Sequence, residues 1–332
     1  MIKILNTENI NSEAWMELCN RSSTATFFQT KTCYDFFCSL TFMKSFVYGV
    51  EENGQLKGLV SGYVVANGGL LTSNFSRRAI IHGGLLLDDN ITNESLSALL
   101  NFLKTNLYKK AIYIEIRNFV DYSEYKKILE TNGFIYLPHL NLHVHTNKST
   151  DILFKKLKEE KQRQIKQAKK NGLTSVETED INDITDFYTL LKKLYKNIHL
   201  PIFPLEFFEK IVKHKVAHLI VIKRENKTVG GILLVTDSKK VYEWFIVGDN
   251  EKPENKYSSV LATWEGIRFA AENGFDTFDF MGAGKPDKNY GVRNFKKRFG
   301  TVELDTGRYL FICHNFIYSL GKLIFERIIK NK

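Results

Sequence analysis

The last third of this 332-residue chain constrains its fold more than any other segment. A helical run from Tyr257 to Ala270 leads into the turn Asn273-Gly274, and an apolar strand containing Asp279 follows. After Gly282 come a loop and a short basic helix from Tyr290 to Phe299. This order of helix, strand, glycine-bearing loop and helix predicts a mixed fold of helices and strands.

Three apolar runs precede this region and are predicted to be antiparallel strands. They cover residues 217–222, 230–235 and 241–247, and turn residues separate them. A helix predicted over residues 183–197 comes before all three. The complete order is helix, three strands, helix, strand, helix and strand, which resembles the Gcn5-related N-acetyltransferase (GNAT) fold.

The chain is long enough for two domains of roughly 150 residues each. The best boundary is near residues 146–150, where an alternating strand ends and cap residues begin a helix. A weak internal duplication of strand, helix and glycine turn supports two related domains. We therefore predict an α+β protein of two tandem GNAT-like acyltransferase domains with a cleft between them. The first spans residues 1–148, the second spans residues 149–314, and a C-terminal helix over residues 315–332 is expected to pack on the first.

Charge and cysteine content limit the partners and the compartment. Lys and Arg number 47 against 37 Asp and Glu, and the net charge of +10 favours nucleic acid, nucleotide diphosphates or an anionic membrane surface as partners. The four cysteines form no Cys-x-x-Cys pair, which indicates free thiols in a reducing compartment. The first residues lack a signal-peptide pattern, and no apolar run approaches the roughly 20 residues that span a bilayer. These features predict a cytoplasmic protein.

The most basic segment, residues 151–172, is predicted to form one amphipathic helix. Its apolar residues fall on one face and its cations on the opposite face. The apolar set is Leu153, Phe154, Leu157, Ile165 and Ala168, and the cationic set includes Arg163, Lys166 and Lys170. The cationic face is predicted either to bind a polyanion such as tRNA or a diphosphate-lipid substrate, or to be an ordinary solvated face.

The stretch that corresponds to the coenzyme A loop of ordinary acetyltransferases lacks the needed glycines. Such loops present backbone N–H groups to the pyrophosphate of the cofactor at a helix N-terminus. Here residues 248–259 contain one glycine and three acidic residues, Asp249, Glu251 and Glu254. The sequence therefore predicts poor binding of coenzyme A, and no cofactor is expected.

Other enzyme classes find little support. His139, His143 and His145 share one strand parity, but an exposed strand face explains them better than a metal site, because no carboxylate or cysteine accompanies them. No Gly-x-Ser-x-Gly elbow, His-Glu-x-x-His motif, Walker loop or Rossmann glycine pattern is present. These absences argue against the common hydrolases, zinc proteases, NTPases and dehydrogenases.

The short basic helix carries a candidate catalytic lysine. Phe295 and Phe299 are four residues apart on one predicted face, and Lys296 follows Phe295 beside the predicted cleft. A lysine there can stabilise a developing oxyanion or hold an aminoacyl carbonyl, because electrostatic stabilisation is often the largest contribution to acyl transfer. The alternative is a surface lysine without a catalytic role.

Together these features resemble the FemABX family, two-domain enzymes that transfer amino acids from aminoacyl-tRNA onto peptidoglycan precursors. The resemblance spans nearly the whole chain, and its short motifs occur in the order of the family. These motifs are Thr26-Phe27-Phe28-Gln29-Thr30, Arg163 to Gly172, Phe187-Tyr188 with Pro201, Trp264-Glu265, Asp279 to Gly282, and Phe295-Lys296-x-x-Phe299-Gly300. The long helical hairpin of many family members has no room in the short connection after Pro201.

The resemblance implies roles for particular residues. It implies that Lys296 contacts the phosphates of the acceptor or the transfer centre, while a substrate phosphate or Asp279 takes a proton from the acceptor amine. The residues implied in substrate binding are Tyr195, Lys196, Tyr242, Trp244, Arg293 and Phe295.

The expected function is acyl transfer. The donor is aminoacyl-tRNA or another activated acyl compound, and the acceptor is an amine of a peptidoglycan or polysaccharide precursor, with peripheral contact to the inner membrane surface. Two alternatives stay open. One is an acyl-coenzyme A-dependent N-acetyltransferase, and the other is a non-catalytic basic module that binds nucleic acid or an anionic membrane.

Overall fold

The computed structural model describes the backbone of residues 1–66 and 76–330 and the side chains of these residues through 323. The chain divides into two compact units. Met1–Pro138 and Thr306–Lys332 form the first, and the continuous segment His139–Asp305 forms the second. These limits differ from the predicted ends at residues 148 and 314, because the strands just before those positions each join the sheet of the other unit. The last two residues of the predicted C-terminal helix lie outside the described part.

In the first unit, residues 1–66 and 76–138 form seven strands and four α-helices. In chain order they are β1 (Ile2–Asn6), α1 (Ser12–Arg21), α2 (Lys31–Cys38), β2 (Met43–Glu52), β3 (Gln55–Val65), β4 (Arg78–Gly83), β5 (Leu86–Leu87), α3 (Asn93–Leu107), β6 (Tyr113–Asn118), α4 (Lys126–Thr131) and β7 (Ile135–Leu137). Helix α3 covers the sheet with a stripe of five leucines at helical spacing, and Thr92 caps its start by accepting from the N–H of Ser95.

The second unit follows without interruption. Its elements are β8 (Leu140–His145), α5 (Thr150–Lys156), α6 (Glu159–Lys170), β9 (Leu173–Glu177), α7 (Ile181–Asn197), α8 (Leu205–Lys213), β10 (His218–Arg224), β11 (Lys227–Thr236), β12 (Lys240–Gly248), α9 (Ser258–Glu272), β13 (Thr277–Asp279), α10 (Gly291–Lys297) and β14 (Val302–Asp305). The chain then returns to the first unit with β15 (Arg308–Ile312) and α11 (Asn315–Lys330).

Among the described residues, each unit contains one mixed sheet with a single parallel pair near its centre. The order in the first is β1-β2-β3-β4-β6-β15-β7, with β5 added to β3, and β4 runs parallel to β6. The order in the second is β14-β8-β13-β12-β11-β10-β9, and β12 runs parallel to β13. A helix, α3 or α9, connects the parallel strands in each case. The predicted tandem arrangement is therefore confirmed.

The predicted basic helix over residues 151–172 is wrong in one respect, because it is two helices. Leu157, between α5 and α6, has extended backbone angles, and the N–H of Lys158 donates to the carbonyl of Arg298 at 3.0 Å instead of continuing the helix. The predicted apolar side remains, since Leu153, Leu157, Ile165 and Ala168 are all buried in the core of the second unit.

Candidate active site

Lys296 lies at the centre of the candidate active site, on the short helix α10. Only 9% of the residue is exposed. Its Nζ donates to the carbonyl of Phe280 at 2.7 Å and to that of Gly282 at 3.0 Å, and it lies 3.4 Å from Glu243 Oε1. Three acceptors therefore surround the three protons of an ammonium. This buried, fully engaged group is not the surface lysine of the alternative interpretation.

The two carbonyls that hold Lys296 come from the loop after β13. Met281 and Gly282 both have positive φ there, 55° and 119°. Residues with a side chain rarely adopt a φ of 119°, and a Cβ at position 282 would stand 3.1 Å from His139 Nε2. Glycine at 282 therefore allows the turn that aims both carbonyls at α10.

Asp279 holds the same loop in place through its carboxylate oxygens. Its Oδ1 accepts from Asn141 Nδ2 at 2.9 Å and from the N–H of Met281 at 2.6 Å, and its Oδ2 lies 2.8 Å from His143 Nε2. Asn141 Oδ1 in turn accepts from the N–H of Gly282 at 2.8 Å. Both carboxylate oxygens of Asp279 are engaged by neighbouring groups, which supports a positioning role rather than the predicted role of proton acceptor. It is a positioning residue for the loop that carries the acceptors of Lys296.

Glu243 is the functional candidate that the sequence analysis missed. It lies in β12 and is 4% exposed, and among the described residues its Oε2 has no hydrogen-bond partner. Burial raises the pKa of this carboxyl to about 7, although the charge of Lys296 opposes the shift and that of Asp279 adds to it. The available signal was a single glutamate between Tyr242 and Trp244 in an otherwise apolar strand.

The parallel pairing of the sheet ends beside Glu243. The last matched residues of β12 and β13 are Tyr242 and Asp279. On the other side of β12 the register with β11 shifts between Glu243 and Phe245, so Trp244 is the extra residue of a β-bulge. The buried carboxyl of Glu243 thus lies where β12 stops pairing with β13 and has a β-bulge opposite β11.

Tyr195 and Trp244, two of the predicted substrate-binding residues, border this region. Tyr195 is half-buried at the end of α7, and burial, with smaller effects of Tyr290 and Glu243, raises its pKa to about 12. Its hydroxyl is therefore within electrostatic range of Glu243. Trp244 is also half-buried, and its ring packs edge-on against Phe207 of α8 at 5.1 Å.

Two other predicted substrate-binding residues are placed elsewhere. Tyr242 has no exposed surface, and its hydroxyl donates to Asp237 Oδ2 at 2.6 Å, which contradicts a contact with substrate. Neighbouring residues of a strand face opposite sides of the sheet, so Tyr242 points away from Glu243. Lys196 is exposed at the end of α7.

Arg293 and Phe295 support the site from α10. The guanidinium of Arg293 donates to the carbonyl of Lys285 at 2.8 Å and to that of Lys288, so it fixes the loop before the helix and is not free to bind substrate as predicted. Phe295 is half-buried, and the Nζ of Lys161 lies 4.4 Å from its ring centroid. This contact joins α10 to the basic helix α6.

The predicted polyanion-binding residues form an exposed stripe on α6. Arg163, Lys166 and Lys170 are all exposed, and their spacing of three and four residues puts them on one side of the helix. Arg163 has only a long ion contact, 3.8 Å to the exposed Glu159. We call these three residues the α6 stripe.

The N-terminus of α9, where a GNAT enzyme would place the pyrophosphate of coenzyme A, is occupied by the protein itself. Asn250 Oδ1 lies 3.4 Å from the N–H of Ser259 and 3.3 Å from Ser258 Oγ, both of which can donate to it, and its Nδ2 donates to Ser259 Oγ at 2.9 Å. A Cβ at Gly248 would stand 2.4 Å from Ser259 N, so the loop also lies close against the helix. This arrangement does not fit a bound pyrophosphate.

The histidines of β8 do not form a metal site. His143 contacts Asp279 and lies 3.1 Å from Asn141 Nδ2, while His145 is exposed. Across the described parts of the chain, no group of three or more His, Cys, Asp or Glu side chains could hold a metal ion.

A protein-family model accounts for most of the second unit. Residues 155–297 match the model described as acetyltransferase (GNAT) domain. Over these residues the second unit is similar to a GNAT domain. The prediction of an enzyme of the acyltransferase class is thereby confirmed, and Lys296 and Glu243 both lie inside the matched region. No curated protein sequence matches the chain.

Solved structures extend the GNAT similarity to the whole chain. FemX superposes with a TM-score of 0.70 at 17% identity, over 96% of this chain and 99% of FemX. A tandem GNAT protein from the clavulanic acid biosynthesis pathway gives a TM-score of 0.59 at 7% identity, over 94% and 99%. The C-terminal domain of a putative lysylphosphatidylglycerol synthetase from Agrobacterium fabrum gives 0.58 at 12% identity, over 93% and 94%. The predicted FemABX-like tandem GNAT fold is confirmed.

Proposed function

We propose that this protein transfers an aminoacyl or acyl group to an amine of a cell-envelope precursor made in the cytoplasm. The observation that carries the proposal is the buried pair of Glu243 and Lys296, at the place where β12 and β13 stop pairing. In the proposed complex the substrate approaches between the strands at this place. The pair supplies the two things that acyl transfer to an amine requires, a proton acceptor and a fixed positive charge.

In the proposed reaction the neutral amine of the acceptor attacks the carbonyl carbon of an activated ester. A new C–N bond forms, and the proton of the amine passes to Glu243, whose pKa of about 7 suits a general base near neutral pH. The C–O bond of the ester then breaks, and the proton moves to the leaving oxygen. Each cycle therefore returns Glu243 to its carboxylate form.

Lys296 stabilises the oxygen that becomes negative during this attack. Its contact with Glu243, at 3.4 Å, is longer than its two hydrogen bonds to backbone carbonyls. When Glu243 accepts the proton and loses its charge, this third donor of Lys296 is released towards the oxyanion. Proton acceptance and charge stabilisation are coupled in this way.

In its most specific form, the proposal takes aminoacyl-tRNA as the acyl donor. The α6 stripe offers three exposed cations for its phosphates, and Lys161 joins α6 to the helix that carries Lys296. In its broader form, the proposal takes another activated acyl compound as the donor. Acetyl-coenzyme A is the less favoured donor, because Asn250 fills the helix terminus that would receive its pyrophosphate.

The test is to incubate the protein with charged tRNAs, with acyl-coenzyme A species and with an ester donor lacking phosphate. Each donor is offered with UDP-linked muropeptide and with an amino sugar, which carry amines, and with phosphatidylglycerol as a control acceptor that has only hydroxyl groups, and product masses are measured. A mass increase equal to one aminoacyl group on an envelope precursor supports the proposal. Transfer from acyl-coenzyme A alone would identify an N-acetyltransferase. Binding of tRNA without any product would identify a non-catalytic module.

A further inference from the structure

The C-terminal helix α11 presents an apolar face that no described residue covers. Phe316 is 82% exposed, Leu320 47% and Leu323 53%. At about 100° per residue these side chains lie within about 60° of one another, and Tyr318 is on the opposite side. The ring of Tyr318 packs against Tyr113 of the first unit at 5.5 Å. The three exposed residues therefore form the outer face of α11, while Tyr318 on its inner face packs against the first unit.

Cationic and aromatic groups flank this outer face. His314, just before α11, lies 2.8 Å from the carbonyl oxygen of Tyr108, and the two rings are 4.8 Å apart, so the end of α3 adjoins the start of α11. Tyr108 is itself 49% exposed. Exposed lysines accompany them, namely Lys109, Lys110 and Lys322. Residues 104–110 and 315–323 contain no Asp or Glu, so the patch has a single sign of charge.

We propose that α11 docks the protein on the surface of an anionic lipid bilayer. Phe316, Leu320 and Leu323 enter the boundary between headgroups and acyl chains, and the lysines face the lipid phosphates. The helix has 16 residues and lies in the plane of the interface, because about 20 are needed to span a bilayer. No helix of the described segments is long and apolar enough to cross a membrane, which agrees with docking at the surface.

A second copy of the chain is the poorer occupant of this face. Stable protein interfaces bury about 1,200–2,000 Å² in total, and three side chains on one helix fall well short of that area. Pairing two copies through this patch would also bring the lysines of each copy near those of the other, which is unfavourable. Anionic lipid satisfies both the apolar and the cationic groups.

The test is co-sedimentation of the full chain with vesicles of phosphatidylcholine, with and without half phosphatidylglycerol. We expect binding that requires phosphatidylglycerol. The variant Phe316→Ser/Leu320→Ser/Leu323→Ser should lose at least ~10-fold in partitioning. The variant Lys109→Gln/Lys110→Gln/Lys322→Gln should lose up to ~10²-fold on the anionic vesicles, because each lysine near such a surface contributes about fivefold.

The matched control replaces three exposed apolar residues outside the patch, as Met16→Ser/Val176→Ser/Leu304→Ser, and should bind like the wild type. Circular dichroism and thermal unfolding of all variants separate lost docking from lost folding. Three outcomes would overturn the proposal. The wild type fails to sediment with anionic vesicles, the α11 variant binds as well as the control, or the wild type forms a lipid-independent dimer that the α11 variant does not form.

Discussion

Glu243 and Lys296 are buried together; burial raises the pKa of Glu243, and the charge of Lys296 opposes that rise. The amide of a glutamine can replace the carboxyl in shape but cannot accept the proton. We expect Glu243→Gln to lower the turnover number about 10²–10³-fold, a usual range for loss of a general base. In the wild type the rate should rise with pH through about 7, as Glu243 becomes ionised, and this rise should be absent in the variant.

The matched control for this variant is Glu265→Gln. Glu265 is also a buried glutamate of the GNAT domain, but its ion pairs are with Lys169 and Arg268. It should keep near-normal turnover and the wild-type pH profile. If both variants lost activity equally, the effect would reflect stability and the assignment of Glu243 would fail.

Replacing Lys296 by methionine should cost stability as well as activity, and the cost should depend on pH. The folded pKa of Glu243 is about 7 against an ordinary 4.5, so the folded protein binds more protons than the unfolded chain between these values. Stability therefore falls as the pH rises across this range, and removing Lys296 deepens the fall because the carboxylate loses its cation. We expect Lys296→Met to cost about 3 kcal/mol at pH 8 and much less at pH 5.

Denaturant unfolding at the two pH values measures this difference. The double variant Lys296→Met/Glu243→Gln should recover most of the stability at pH 8, because no charge is then left unpaired, while turnover stays low. An equal cost at pH 5 and pH 8 would show that the two groups are not coupled.

At the scale of elements, the α6 stripe is the part most directly open to test. Replacing Arg163, Lys166 and Lys170 by glutamine should weaken tRNA binding and reduce the log-log slope of affinity against salt by up to about three units. Thermal stability should change little, because the three side chains are exposed. Binding is measured by filter retention at several salt concentrations. The control replaces the exposed Lys213, Lys227 and Lys239 by glutamine. If both variants changed the slope equally, the cationic face of α6 would be an ordinary solvated face.

The start of α9 gives a separate prediction about the donor. Because Asn250 covers the start of this helix, acetyl-coenzyme A should produce no binding heat in calorimetry, whereas a GNAT enzyme with a glycine-rich loop serves as the positive control. Asn250→Ala should cost about 1 kcal/mol of stability through the lost hydrogen bonds to Ser258 and Ser259. Stoichiometric binding of acetyl-coenzyme A to the wild type would instead favour an ordinary N-acetyltransferase.

Elements with strong local patterns could be predicted from the sequence, and those set by distant contacts could not. The apolar run at residues 217–222 became β10 with a shift of one or two residues, because the run is apolar throughout and turn residues follow it. Leu157 instead is in phase with the apolar face of a helix, yet a hydrogen bond from the next residue to Arg298 breaks that helix. Lys296 could be found from a local motif. Glu243 could not, since nothing near it in the chain indicates that it meets Lys296.

At the scale of the whole molecule, the division into units predicts which fragments fold. The segment 139–305 is continuous and contains every strand of its own sheet, so it should fold alone and unfold cooperatively. Residues 1–138 alone should not, because they lack β15, which pairs with both β6 and β7. Joining residues 306–332 to that fragment through a short linker should restore folding. Circular dichroism and thermal melts of the three fragments test this, and a stable fold of residues 1–138 alone would contradict it.

Strand pairing over long distances in the chain explains why the boundaries of the two units could not be predicted from the sequence. Residues 140–145 alternate and residues 308–312 form a short apolar run, both as in ordinary strands, and nothing local states which sheet each one joins. Pairing decides it: Leu142 aligns with Glu303, and Tyr309 aligns with Ile116. Such partners are far apart in the chain, so only the folded structure reveals them.

The return of the chain to its first unit has a consequence for synthesis on the ribosome. The sheet of the first unit cannot close until β15 emerges, and the whole second unit must be translated before that. At about 5–20 residues per second this wait is roughly 10–30 s. During that time the edges of β6 and β7 that later receive β15 stay open to other chains. The nascent protein therefore depends, for that interval, on chaperones or on rapid completion of translation.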